Sequence, residues 1–221
     1  MLKAVIFDLD GTLLDTIDDI AISSNLVLKY YGKSPIPIED YNYIVGQGAV
    51  ELLRDILPEL PAEKESEALG LFEKYYSKQF TVNTKIYEDI SKVLTFLQVK
   101  GIKMAVLSNK PNSFTKKCVM KYLRDWKFDL VYGIRDGIPR KPSEAGAIEI
   151  LKELHVEPNE TLFIGDTKVD MQTAKNANMS SIGVLWGFRE EEELVEHGAT
   201  YIAKTPTDII KLISENNLCK K

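Results

Sequence analysis

Asp8 and Asp10 stand two residues apart at the end of an apolar run and are followed at once by Gly11 and Thr12. Side chains at i and i+2 of a strand face the same way, so the two carboxylates suit a nucleophile and an acid/base acting on one substrate. The first can attack an electrophilic centre and hold it covalently. The second can protonate a leaving group and later take a proton from water. Gly11 permits a sharp turn away from such a site. Further candidates recur along the chain: Ser108 and Asn109, followed by Lys110; Lys141, between Arg140 and Pro142; and Asp166 and Asp170, after Gly165. Four carboxylates in one place repel, and burying them unpaired is costly. A hard divalent cation resolves this. Mg²⁺ takes oxygen ligands, few of them carboxylates, and keeps some of its waters. The same ion recruits phosphate oxygens. Ser108, backbone N–H groups near Gly11 and Thr12, and the point charge of Lys141 would complete a phosphate cradle.

The elements that must position these residues follow from the pattern. Short apolar runs predict strands over 2–7, 102–107, 128–132, 161–164, 181–185 and 201–203. Helical spacing predicts helices over 88–100, 112–123, 143–154, 168–178, 190–197 and 206–215. Runs apolar at consecutive positions are strands covered on both faces, and their alternation with helices predicts a doubly wound α/β fold with a parallel sheet. Ligands bind such sheets beyond the carboxyl ends of the strands, where the candidate residues fall. One stretch breaks the alternation. Residues 16–83 carry helical patterns over 16–31, 39–45, 49–57 and 62–80. A structureless loop of that length is implausible. The expected organisation is a core of residues 1–15 and 84–221 with a helical cap, 16–83, that has its own small core.

Composition narrows the function. The 221 residues hold 28 Lys and Arg against 33 Asp and Glu, a net charge of −5. A nucleic-acid partner would call for a basic face, so none is expected. No run is apolar enough to span a bilayer, and the aspartates near the N-terminus break any signal-peptide pattern. Cys118 and Cys219 lie far apart and suit reduced thiols in a cytoplasmic protein. The expected partner is a small phosphate ester; no pattern speaks to oligomeric state.

The run Asp8-Leu9-Asp10-Gly11-Thr12 resembles the opening signature of the haloacid dehalogenase-like (HAD) phosphohydrolases. Ser108, Lys141, and Gly165-Asp166 with Asp170 resemble that superfamily's three later motifs, in the same order. The insertion after the first motif resembles its helical cap, so the likeness spans the whole chain. It implies a HAD-like Rossmannoid core in which Asp8 is nucleophile and metal ligand, and Asp10 is acid/base and ligates through its backbone carbonyl. It also implies that Asp166 is the main further ligand of Mg²⁺, with Asp170 in support, and that Ser108 and Lys141 hold the phosphoryl group. The metal-independent dehalogenases of the family lack an aspartate like Asp10. The segments Val45-Gly46-Gln47-Gly48 and Val184-Leu185-Trp186-Gly187 resemble the phosphoglycolate phosphatase-like subgroup.

Plainer roles compete with these. Asp166 and Asp170 also suit a helix cap and a first-turn carboxylate. Asn109 suits substrate binding or a turn, and Gln47 suits the leaving group or a solvated loop. Arg54 suits a helix ion pair with Glu51. The leading expectation is an Mg²⁺-dependent phosphomonoesterase acting on a small ester, 2-phosphoglycolate first, through an aspartyl-phosphate. The alternatives are a phosphosugar mutase of the β-phosphoglucomutase kind and a phospho-accepting signalling receiver.

Overall fold

The structure, a computed structural model, describes residues 1–215; Cys219 lies outside them. Strands β1 (Ala4–Phe7), β4 (Lys103–Pro111), β5 (Leu130–Ile134), β6 (Thr161–Gly165), β7 (Ser180–Val184) and β8 (Tyr201–Ala203) form one sheet. Its order is β5-β4-β1-β6-β7-β8, and all its pairings are parallel. The central strand β1 pairs with β4 on one side and β6 on the other. The chain order reverses there, which opens a crevice at its carboxyl end.

Alternation along β1 explains the two-sided burial. Val5 and Phe7 join a cluster with helices α5 (Ile90–Val99), α6 (Asn112–Tyr122) and α10 (Pro206–Glu215). Ala4 and Ile6 join a second cluster with α7 (Ala145–Leu154) and α8 (Lys168–Asn176). Each fully buried Val, Ile or Phe adds about 1.5–3 kcal/mol, so the sheet needs no staple. The short α9 (Glu191–Glu196) precedes β8.

Between β1 and α5 come α1 (Ile17–Tyr30), α2 (Tyr41–Ile44), α3 (Ala49–Ile56) and α4 (Glu65–Gln79). They are framed by β2 (Leu14–Asp15) and β3 (Lys85–Ile86), which pair antiparallel. These two-residue strands are too short to leave a periodic signal. At the same place Asp19, fully buried, accepts hydrogen bonds from the Gln79 and Asn83 side chains, the Asn83 and Thr84 N–H groups and the Thr84 hydroxyl. That knot ties the first turn of α1 to the segment leaving α4.

The helices α1–α4 share an apolar cluster of their own, to which the rest of the chain adds two rings. Phe114 of α6 and Phe188, from the loop after β7, belong to it. Phe114 meets Tyr76 edge-on at 5.1 Å and Phe80 at 5.6 Å between ring centres, contacts worth about 0.5–1.5 kcal/mol each. Two strands also differ from expectation. β4 runs on to Pro111 through a register shift after Leu107, so it carries Ser108, Asn109 and Lys110 itself. β5 starts at Leu130 because Asp129 pairs with Met104 through both its N–H and its carboxylate. No described helix is long and apolar enough to cross a membrane.

Candidate active site

Asp8 follows β1 directly, and its N–H continues the pairing to the Ile164 carbonyl at 2.9 Å. By alternation it points to the α7/α8 side, where Lys141 enters ahead of α7. The Lys141 ammonium lies 2.9 Å from Asp8 Oδ1 and 2.7 Å from Asp170 Oδ1. Asn109 fixes this lysine through its backbone. Its Oδ1 accepts the Lys141 N–H and its Nδ2 donates to the Lys141 carbonyl, both at 3.0 Å.

Asp166 and Asp170 come from the β6–α8 turn. Asp170 meets the capping alternative and also contacts Lys141. Its Oδ2 accepts the Thr167 N–H and hydroxyl in a capping box at the start of α8, and its Oδ1 serves Lys141. Asp166 caps nothing. It accepts the Thr12 hydroxyl at 2.8 Å and the Phe188 N–H at 2.9 Å. Gly11 takes φ +81°, and a Cβ there would lie inside the Asp166 carboxylate. Both the turn and the close approach therefore require glycine.

Carboxylate oxygens of Asp8, Asp166 and Asp170 all lie within 4.8 Å of one another, and all three residues are buried. Burial pushes the Asp8 carboxyl up to about 7; Lys141 opposes the shift and Asp170 adds to it. Burial also drives Asp166 well above the usual carboxylate range, with Asp170 and Asp8 adding to it. Burial works against the Lys141 charge, but Asp170 and Asp8 outweigh it and hold the ammonium above the usual lysine range. Three carboxylates thus crowd together, and one ammonium contacts two of them. An all-oxygen donor set with surplus negative charge fits a hard divalent cation.

Beside the trio is a cavity of about 50 Å³ lined by Asp8, Asp10, Ser108, Asn109 and Lys110, with apolar walls that include Leu52, Phe72 and Tyr76. Asp10 is not one of the three converging carboxylates. Both its oxygens lie 2.9 Å from the Lys110 ammonium. The Ser108 hydroxyl accepts the Lys110 N–H at 3.2 Å. Two residues expected at the substrate are not among those lining this cavity. Thr12 does not line the cavity, because the turn at Gly11 carries its hydroxyl to Asp166. Gln47 is exposed and does not line the cavity either. Its neighbour Gly46 docks against Asn109, whose Nδ2 reaches the Gly46 carbonyl at 3.2 Å. Arg54 forms ion pairs with Glu51 and Glu65 and stays out of the cavity.

Sequence reasoning passed over Lys110 and Phe188. Lys110 had a signal, since a basic residue two positions after Ser108 in an extended strand shares its side. Phe188 contributes a backbone N–H, which leaves no residue-type signature.

The described geometry is that of an α/β enzyme with acidic chemistry at the sheet's topological switch point. The sequence model of the family described as haloacid dehalogenase-like hydrolase matches residues 5–184. The chain is 31% identical to a phosphoglycolate phosphatase of Nitrosospira multiformis, over 98% of this chain and 97% of that one. It is also 31% identical to a phosphoglycolate phosphatase of Aquifex aeolicus, over 97% and 98%. A crystal structure from Lactobacillus delbrueckii subsp. bulgaricus superposes with a TM-score of 0.90 at 31% identity, covering 96% of this chain and 98% of that one. The chain belongs to the haloacid dehalogenase-like hydrolases. Within them its likeness is to the phosphatases.

Proposed function

We propose that this protein is an Mg²⁺-dependent phosphomonoesterase that hydrolyses a small phosphate ester, 2-phosphoglycolate first among them, through a phosphorylated Asp8. The observation that carries this reading is the convergence of Asp8, Asp166 and Asp170 on one another, two of them held by the Lys141 ammonium, beside a small cavity. Asp8, Asp166 and Asp170 would hold the cation, with the Asp10 backbone carbonyl. When bound, it would neutralise the clustered charge and draw phosphoryl oxygens into the site.

The chain's own residues then divide the work. The Ser108 hydroxyl and the Lys141 ammonium bind the phosphoryl oxygens. An Asp8 carboxylate oxygen attacks phosphorus, and the phosphorus–ester oxygen bond breaks. Asp10 gives its proton to the departing oxygen. Water then attacks the phosphorus, Asp10 takes a proton from it, and the bond to Asp8 breaks to release phosphate. Residues 16–83 act as a cap that shuts out bulk water and shapes the leaving-group pocket. Room for roughly three to five waters in a cavity of about 50 Å³ supports a leaving group of a few heavy atoms over a hexose. Relatives named phosphoglycolate phosphatase at 31% identity point to the same substrate.

Phosphate release from a panel of esters, with Mg²⁺ and with a chelator, tests the reading. The expected result is release that requires the cation and falls at least about a thousandfold in Asp8→Asn, with the fold retained. Substantial turnover by that variant would overturn the mechanism. Conversion of glucose 1-phosphate to glucose 6-phosphate would mark a mutase instead.

A further inference from the structure

The cavity wall is mostly apolar, yet it holds one buried ammonium. Among the described residues that line it, Lys110 is the only cation. Its side chain is 4% exposed, and its Nζ lies 4.6 Å from the centre of the Tyr76 ring. Tyr76 lines the same wall, with its buried hydroxyl near the Lys110 ammonium. The other contact of Nζ is symmetrical: each oxygen of Asp10 lies at 2.9 Å. Lys110 therefore engages both oxygens of the residue that must face the leaving group.

We propose that Lys110 is the specificity-determining residue of this enzyme, selecting esters whose leaving group carries a carboxylate. The proposal rests on the phosphomonoesterase reading above. An ester oxygen that reaches Asp10 is necessarily close to Nζ, because Asp10 and Lys110 are in contact. A carboxylate one carbon further along that leaving group meets the ammonium, the only positive charge among the described residues of the wall. Without that cation, burying the carboxylate among Leu52, Phe72 and Tyr76 would be prohibitive. With it, the carboxylate gains charge-assisted hydrogen bonds. The incoming anion also competes with Asp10 for Nζ. A carboxylated substrate thus frees an Asp10 oxygen to face the ester oxygen, whereas a neutral leaving group leaves Asp10 clamped. Recognition of the leaving group and readiness of the acid/base are coupled through one side chain.

The test compares 2-phosphoglycolate with 2-hydroxyethyl phosphate, a neutral analogue of similar size, by kcat/KM. The wild-type enzyme should favour phosphoglycolate at least about 30-fold. Lys110→Met should cut that ratio by about 10- to 100-fold, and Lys110→Arg should keep most of it. Equal losses on both esters would show that Lys110 merely positions Asp10, and would overturn the proposal. So would a wild-type enzyme without preference. Should Lys110→Met fail to fold, Asp10→Asn and Asp10→Asn/Lys110→Met offer a neutral pair for calorimetry with phosphoglycolate. About tenfold weaker binding by the double variant supports the proposal, and equal affinity overturns it. Absence of phosphate release from every ester would instead overturn the phosphomonoesterase reading, and this proposal with it.

Discussion

Asp8, Asp166 and Asp170 bring three buried carboxylates together, with the Lys141 ammonium on two of them, and that imbalance has a thermodynamic signature. Burial raises Asp8 from 3.8 to about 7, so the metal-free folded protein keeps a proton that the unfolded chain gives up. The Asp8 contribution to stability is then fully present below the unfolded value and is lost as pH rises from about 4 through about 7. Metal-free protein should therefore lose Tm between pH 5 and pH 8 more steeply than Asp8→Asn, whose side chain does not titrate. A divalent cation that binds only the folded state reverses the loss. At about 100 times its Kd it adds about 2.7 kcal/mol, or roughly 5–10 °C for a chain of this size. Thermal scans across pH, with Mg²⁺ and with a chelator, check both effects. Parallel pH slopes for the wild type and Asp8→Asn would contradict the first.

The segments that carry Ser108, Lys141 and Phe188 also grip the helices above them. Asn109, next to Ser108, donates to the Gly46 carbonyl. Arg140, next to Lys141, pairs with Glu51 of α3 at 2.5 Å. Arg189, next to the Phe188 that donates to Asp166, gives Nη2 to the carbonyls of Tyr43 and Val45 at 3.1 and 2.9 Å. All three grips land on the short stretch from Tyr43 to Glu51, so its docking is tied to the seating of three segments that border the acidic site. Arg189→Ala removes the grip that spans two carbonyls, and a hydrogen bond from a charged donor contributes about 1.5–3 kcal/mol. The expected outcome is a KM raised about 3- to 30-fold with a smaller change in kcat. Faster amide exchange should appear at residues 43–48, with little change in the exchange of β1 and β6. Unchanged exchange in that stretch would show that Asn109 and Arg140 suffice to hold it.

Taken whole, the molecule gathers its negative charge unevenly. The net charge is −5, and residues 16–83 help to line a cavity of about 50 Å³ beside the acidic centre. Size and charge together should restrict turnover to short, compact esters. Phosphate release from glucose 6-phosphate and from AMP should run at least about 100-fold below that from 2-phosphoglycolate in kcat/KM. Comparable rates on all three would mean that the cap opens far wider than the cavity implies.

The α/β alternation and the helical stretch after β1 were legible in the chain because burial on both faces of a sheet and helical amphipathicity each impose a local period. The grouping of Asp8, Asp166 and Asp170 was legible because clustered carboxylates at strand ends have few inexpensive explanations, whereas Asp10, expected with them, pairs with Lys110. What no local pattern encodes is which partner each polar group finds across the crevice. Lys110 is one residue among many basic ones until β4 brings it within 2.9 Å of Asp10, 100 residues earlier in the chain. Thr12 has the right type for substrate binding, but the turn at Gly11 hands its hydroxyl to Asp166. Phe114 has helical spacing like any core residue, yet it packs on the cap helices. The sequence by itself determined the chemistry available, since side-chain types and periodicity are local properties. Only the tertiary structure decided which oxygen meets which nitrogen, because a hydrogen bond or ion pair depends on distances of a few ångströms between residues far apart in the chain.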